Sequence, residues 1–188
     1  MLNNFWTNPL SWIGIYLIGY VITIVILSLP EGLSKIRNKI PKFLIRVFVF
    51  FTFIMPIIVL PFTKGSRIAI PMPAALIVGI TLLGISFLIK ILAQRQIGVS
   101  PVLKSKTKLV TKGLYKIVRH PLYMSQGPLA MGMAVLFRST NALLFSIPYF
   151  FSYLLLIYFE EKNLLKEYGE EYLKYRKKVP YRLIPKII

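Results

Sequence analysis

LSWIGIYLIGYVITIVILSL, residues 10–29, is the stretch that decides the fold class. It is a run of 20 residues without a charge. At about 1.5 Å per residue, a helix of that length crosses a hydrocarbon core of about 30 Å. No Lys or Arg precedes it, so the positive leader of a cleavable secretory signal is missing and the segment is expected to remain in the mature protein. Further apolar runs at about 43–62, 72–92, 121–137 and 142–159 predict an all-α polytopic membrane protein with five transmembrane helices. Residues 1–92 form an N-terminal three-helix membrane region in this reading. Residues 93–188 hold a loop, a helical hairpin and a tail.

Charge sets the expected orientation. The chain carries 24 Lys and Arg against six acids, all Glu, for a formal +18. A soluble protein so basic would suggest nucleic acid, but here 56% of the residues are apolar and the lipid reading takes precedence. Between the five spans, four basic residues fall in 30–42, seven in 93–120 and eight in 160–188, all on one side. Only Lys64, Arg67 and Arg138 fall on the other, while Arg46 and Lys90 lie near span ends. A Lys/Arg excess marks the cytoplasmic face, so the N-terminus is expected outside and the C-terminus inside, with the excess charge drawn to anionic head groups. The expected partner is the lipid bilayer, and no nucleic acid is needed.

Absences narrow the chemistry. The chain has one His, no Asp and no Cys, and no G-x-G occurs. A Ser-His-Asp triad, a Cys-based metal site, a Rossmann fingerprint and a P-loop are therefore excluded, and no metal site is expected. What remains gathers at the inner ends of the last two spans. Arg119, His120 and Tyr123 sit at the entry to the fourth span, where Pro121 suits a first helical turn and free backbone amides favour an anion. Spacings of three and four let these side chains converge, although the same residues also serve as a plain interfacial belt. Glu160 and Glu161 end the fifth span, and a hairpin returns them to the same membrane face. Cations and amides facing two carboxylates suit a zwitterion; solvated counter-charge is the plainer use.

Around this hairpin, the segment 94–118 is longer than an ordinary connection and reads as a lid or surface-lying helix, with Val99, Pro101 and Leu103 among its apolar residues. Leu164, Leu165, Tyr168, Tyr172 and Tyr175 recur at helical spacing among lysines, predicting a cytoplasmic amphipathic C-terminal helix used chiefly for packing and anchorage. Gly127, Ala130 and Ala134 share a face of the fourth span, which favours close helix approach over room for a bound molecule.

The order Gly113-Leu114-Tyr115-Lys116-Ile117-Val118-Arg119-His120-Pro121-Leu122-Tyr123, a hydrophobic hairpin, Glu160-Glu161, Tyr168-Gly169-Glu170-Glu171-Tyr172 and Val179-Pro180 resembles the isoprenylcysteine carboxyl methyltransferases and their phospholipid-methylating relatives. The likeness covers roughly residues 94–188. It implies an integral membrane enzyme that uses S-adenosylmethionine and methylates a lipidic acceptor such as a prenylcysteine carboxylate. Carried over residue by residue, Val110, Gly113, Tyr115, His120, Tyr123 and Glu161 would bind the cofactor, and Arg119 and Glu160 would serve catalysis. Where many members have an arginine shortly before the Glu pair, this chain has Ile157, Tyr158 and Phe159. The ending Val179-Pro180-Tyr181-Arg182-Leu183-Ile184-Pro185 also resembles sterol reductases, which use NADPH. An NADPH-dependent reductase and a non-catalytic lipid-binding protein therefore stand as alternatives.

Overall fold

The computed structural model describes residues 2–28, 41–97 and 109–187. Most of the basic stretch 30–42 and the loop centre with Val99, Pro101 and Leu103 lie outside the described residues. Among the described residues all regular elements are helical, apart from an isolated bridge between Arg67 and Ser139. In chain order they are α1 (Leu2–Thr7), α2 (Pro9–Ser28), α3 (Lys42–Val49), α4 (Met55–Val59), α5 (Met72–Ile97), α6 (Pro121–Met124), α7 (Gln126–Leu136), α8 (Thr140–Tyr168) and α9 (Glu170–Lys178). Four stretches are long and apolar enough to cross a membrane: Pro9–Ser28, Phe43–Phe62, Met72–Ile97 and Thr140–Tyr168.

Proline chemistry explains the departures from straight spans. Pro56 has no N–H and its ring crowds the carbonyl four residues back, so the second span widens into a π-helical turn at Phe50–Ile54 before α4. Thr52 turns its hydroxyl back onto the Phe48 carbonyl at 2.7 Å in the same turn. The fourth expected span is two shorter helices. Pro128 cannot bond to the turn before it, and the chain resets at Ser125, whose hydroxyl donates to the Leu122 carbonyl at 2.7 Å. The Ser125 carbonyl accepts from the Leu129 N–H at 3.2 Å and from the Ser86 hydroxyl at 2.8 Å, which ties a neighbouring helix to the backbone at this reset. The 11 residues of α7 extend only about 16 Å, well short of a bilayer core.

By Cα proximity the chain forms two compact units, Met1–Gly79 with Met133–Pro148, and Ile80–Gly132 with Tyr149–Ile188. In the first, α2 buries Trp12, Tyr16 and Gly19 at spacings of four and three. Tyr16 meets Phe53 and Phe145 edge-on, with ring centroids 5.6 and 5.1 Å apart. Leu17, Ile18, Val21 and Val25 point outward, as a lipid-facing surface requires. Arg67 closes this unit by donating to the carbonyls of Pro61 and Phe137 at 3.0 and 2.9 Å.

The second unit carries the candidate site. Here the small residues of α7 do bring helices close: a Cβ at Gly127 would stand 3.0 Å from the Phe150 ring, and Ala130 is buried. The amphipathic tail is not one separate helix. Nothing breaks α8 after Phe159, so it runs 29 residues, about 43 Å, and absorbs Leu164, Leu165 and Tyr168. The break comes at Gly169, whose φ of 51° and ψ of −123° suit a residue without a Cβ, and α9 then carries Tyr172 and Tyr175.

Candidate functional site: an ion-paired cavity at the end of the hairpin

Arg119 and His120 owe their placement to the tail. The Arg119 N–H donates to the Tyr181 carbonyl at 2.9 Å and the His120 N–H to the Arg182 carbonyl at 3.0 Å. Pro121 then opens α6, which needs no donor at its first position. The Arg119 side chain, 4% exposed, turns toward α8, where its Nε donates to Glu161 Oε1 at 2.7 Å. Its Nη1 donates to the Val179 carbonyl at 2.6 Å. Glu161 receives a second guanidinium on its other oxygen, with Arg182 Nη2 at 3.1 Å and Nε at 3.2 Å. Charge-assisted bonds of this kind are the strong ones, and burial protects the Arg119–Glu161 pair from screening, whereas Arg182 is partly solvated.

His120 lies between the two carboxylates. Its Nδ1 is 3.5 Å from Glu160 Oε2 and its Nε2 is 3.5 Å from Glu161 Oε1. Burial disfavours the imidazolium, but the two neighbouring carboxylates outweigh it and hold the His120 pKa above its ordinary value. His120 stacks on Tyr123 with centroids 5.8 Å apart, and Tyr123 stacks on Tyr153 at 5.0 Å.

A cavity of about 360 Å³ opens over this cluster. Val110, Tyr115, Arg119, His120, Tyr123 and Glu160, all singled out from the sequence, line it together. Glu161 stands behind that wall in its ion pairs, and Gly113 acts through the backbone. Gly113 has a φ of 58° and packs against Gln96, whose Oε1 accepts the Leu114 N–H at 3.0 Å. This fastens the segment bearing Tyr115 to the end of α5. Tyr172 and Tyr175, expected only to pack, also line the cavity. The Tyr175 hydroxyl donates to the Tyr115 carbonyl at 2.8 Å, and burial pushes its pKa up to about 12, so it stays protonated. Arg182 was not among the expected site residues. The seven-residue stretch of tail around it, Val179 to Pro185, offered only a family likeness, while its contact with Glu161 spans 21 residues and a helix break.

Among the described residues, His120 Nε2, Glu160 Oε2 and the Tyr172 hydroxyl are buried without a hydrogen bond, the His120 contacts to Glu160 and Glu161 being long ion pairs at 3.5 Å. Each such group costs about 1–3 kcal/mol unless something else bonds to it. An imidazole, a carboxylate and a phenol among the residues lining one partly apolar cavity favour a polar, doubly charged small molecule. Among the described residues no group of His and Glu could hold a metal ion.

The family model for phospholipid methyltransferases matches residues 74–171, just over half of the chain. The chain belongs to the phospholipid methyltransferase family. The match includes α5, the hairpin, His120 and both glutamates, whereas Arg182 follows it. Three curated proteins are similar to this family member over shorter stretches. A Delta(14)-sterol reductase of Methylotuvimicrobium alcaliphilum is 36% identical over 90 residues, covering 45% of this chain and 20% of that protein. A methanethiol S-methyltransferase 2 of Bradyrhizobium diazoefficiens is 39% identical over 74 residues, 39% of this chain and 27% of that one. A protein-S-isoprenylcysteine O-methyltransferase of Schizosaccharomyces pombe is 40% identical over 73 residues, covering 38% and 31%. The chain thus spans between a fifth and a third of the length of these relatives.

Proposed function

We propose that this integral membrane protein is an S-adenosylmethionine-dependent methyltransferase acting on a lipidic acceptor, with its site facing the cytoplasm. The observation that carries the reading is the lining of one cavity by His120, Glu160 and Tyr172 beside apolar residues in a chain of this family. The cavity volume falls within the range of about 300–1,000 Å³ usual for small-molecule sites. The carboxylate of Glu160 would hold the cofactor's ammonium, and His120 and Tyr172 would donate to its carboxylate or hydroxyls. Val110 and Tyr115 would flank its apolar parts. Bound there, S-adenosylmethionine supplies an electrophilic methyl group on a sulfonium.

The protein's own contribution is to orient donor and acceptor and to exclude water. Arg119 is held by Glu161 and the Val179 carbonyl, so it would fix one wall of the cavity. A carboxylate acceptor, with a reference pKa near about 3.5, is ionised at neutral pH and asks for no base. This matches a site whose titratable groups are tied up in mutual ion pairs. An amine acceptor would need its proton removed, and Glu160 is the group placed to take it. Support for the cytoplasmic side is the Lys/Arg excess in 93–120 and 160–188, which flank this hairpin.

The test is calorimetry on the detergent-purified protein with S-adenosylhomocysteine. Saturable binding that His120→Gln and Glu160→Gln weaken at least tenfold is expected. A second reading, an NADPH-dependent reductase, has the sterol reductase similarity in its favour. Stabilisation by NADPH with no response to S-adenosylhomocysteine would replace the first reading with the second.

A further inference from the structure

A second cavity, of about 370 Å³, is lined by Arg119, Arg176, Pro180 and Arg182. No carboxylate lines it. Of its three guanidiniums, Arg119 and Arg182 share the single carboxylate of Glu161. Arg176 has no acceptor among the described residues and is exposed at the last turn of α9 beside Lys177 and Lys178. Three cations thus face one space with one compensating anion behind them, leaving a local excess of about two positive charges at close range.

The backbone makes this arrangement firm. Tyr181 and Arg182 are held by the main chain of Arg119 and His120, and the Val179 N–H closes α9 on the Tyr175 carbonyl at 2.9 Å. Each bound guanidinium also keeps free donors. Arg119 uses Nε and Nη1, and Arg182 uses Nε and Nη2, so Arg119 Nη2 and Arg182 Nη1 have no protein acceptor among the described residues. Planar forks with spare N–H groups around an open cavity match the tetrahedral oxygens of a phosphate better than a single-point lysine site does.

We propose that Arg119, Arg176 and Arg182 form a binding site for a phosphate-type oxyanion, carried either by the head group of an anionic lipid or by a soluble phosphate compound. The site shares Arg119 with the cavity over His120, but Arg176 and Arg182 line it alone, and it does not depend on the methyltransferase reading. Its two rear arginines hold Glu161, so an oxyanion that draws Arg182 forward loosens one of the contacts that position Glu161 beside His120.

The full chain in an uncharged detergent is titrated with inorganic phosphate and, separately, with a short-chain phosphatidic acid, following thermal unfolding. Chloride at matched ionic strength is the control. Saturable stabilisation by at least one phosphate compound and none by chloride is expected. Response to both compounds assigns the soluble source as sufficient, and response to the lipid alone assigns the head group. Arg176→Gln, at an exposed position whose loss leaves the ion pairs intact, is expected to weaken the response about tenfold, and Arg176→Lys less. Lys178→Gln should leave it within about twofold. Equal effects of Arg176→Gln and Lys178→Gln, an equal response to chloride, or no response to either phosphate compound would overturn the site. None of these results bears on S-adenosylhomocysteine binding, so the two conclusions fail separately.

Discussion

Glu161→Gln removes the carboxylate on which the site is assembled. Glu161 is 6% exposed and Arg119 is 4% exposed, so the substitution leaves a buried guanidinium without its counter-charge. Breaking a buried pair from one side costs about 3–5 kcal/mol. The Arg182 contact adds at most about 1 kcal/mol because that side chain is 36% exposed and partly solvated. For a chain of this size, each kcal/mol shifts the midpoint by roughly 2–4 °C, so the main pair alone predicts a fall of about 6–20 °C. The assay is thermal unfolding in detergent, with Glu161→Gln measured alongside a cycle of Glu161→Met, Arg119→Met and the double variant of those two. Replacing both partners by apolar groups removes the uncompensated charge, so the double variant should be much more stable than the summed single losses imply. A Glu161→Gln midpoint within about 1 °C of the parent, or strictly additive losses in the cycle, would refute the claim that this pair is buried and mutually compensating.

His120 supplies a pH signature. Its folded pKa is raised, so the stability it contributes as an imidazolium is fully present below about pH 6.5 and is lost as pH rises through the higher folded value. The melting gap between the parent and His120→Gln should narrow on alkaline titration; a gap that widens there would contradict the assignment. Gly113→Ala meets both a φ of 58° and the Gln96 side chain, and a loss of about 1–2 kcal/mol is expected, read as a lower melting midpoint. An unchanged midpoint would mean that the segment bearing Tyr115 is not fastened to Gln96. Tyr175→Phe deletes the donor to the Tyr115 carbonyl and should cost about 1–2 kcal/mol while weakening S-adenosylhomocysteine binding several-fold. Undiminished affinity would separate Tyr115 placement from the cavity.

The apolar runs and the Arg119-His120-Pro121-x-Tyr123 and Glu160-Glu161 clusters were legible because hydropathy and helical spacing act over a few residues. A charge-free run of 20 residues needs no partner to announce a membrane helix. The return of Glu161 to Arg119, 42 positions apart, was legible for a related reason: a short turn after α7 forces the next helix back along the first. Pro56 and Pro128 signalled disturbance in two spans, but not its form. Whether a proline kinks a helix, widens it into a π turn or resets it depends on the neighbours packed against it, and before α7 one such neighbour is Ser86, whose hydroxyl donates to the Ser125 carbonyl.

The sequence by itself determined the solvent, the class of fold and the two charged clusters, since each of these follows from local composition and from spacing along one chain. Only the tertiary structure decided that Arg182 shares Glu161, that Tyr172 and Tyr175 face a cavity, and that Glu161 stands behind the cavity wall while Glu160 lines it. Those outcomes hang on the turn of the chain at Gly169 and on the rotational phase of α8. Adjacent residues on a helix point about 100° apart, so a pair that reads as equivalent in sequence is divided once the helix is packed.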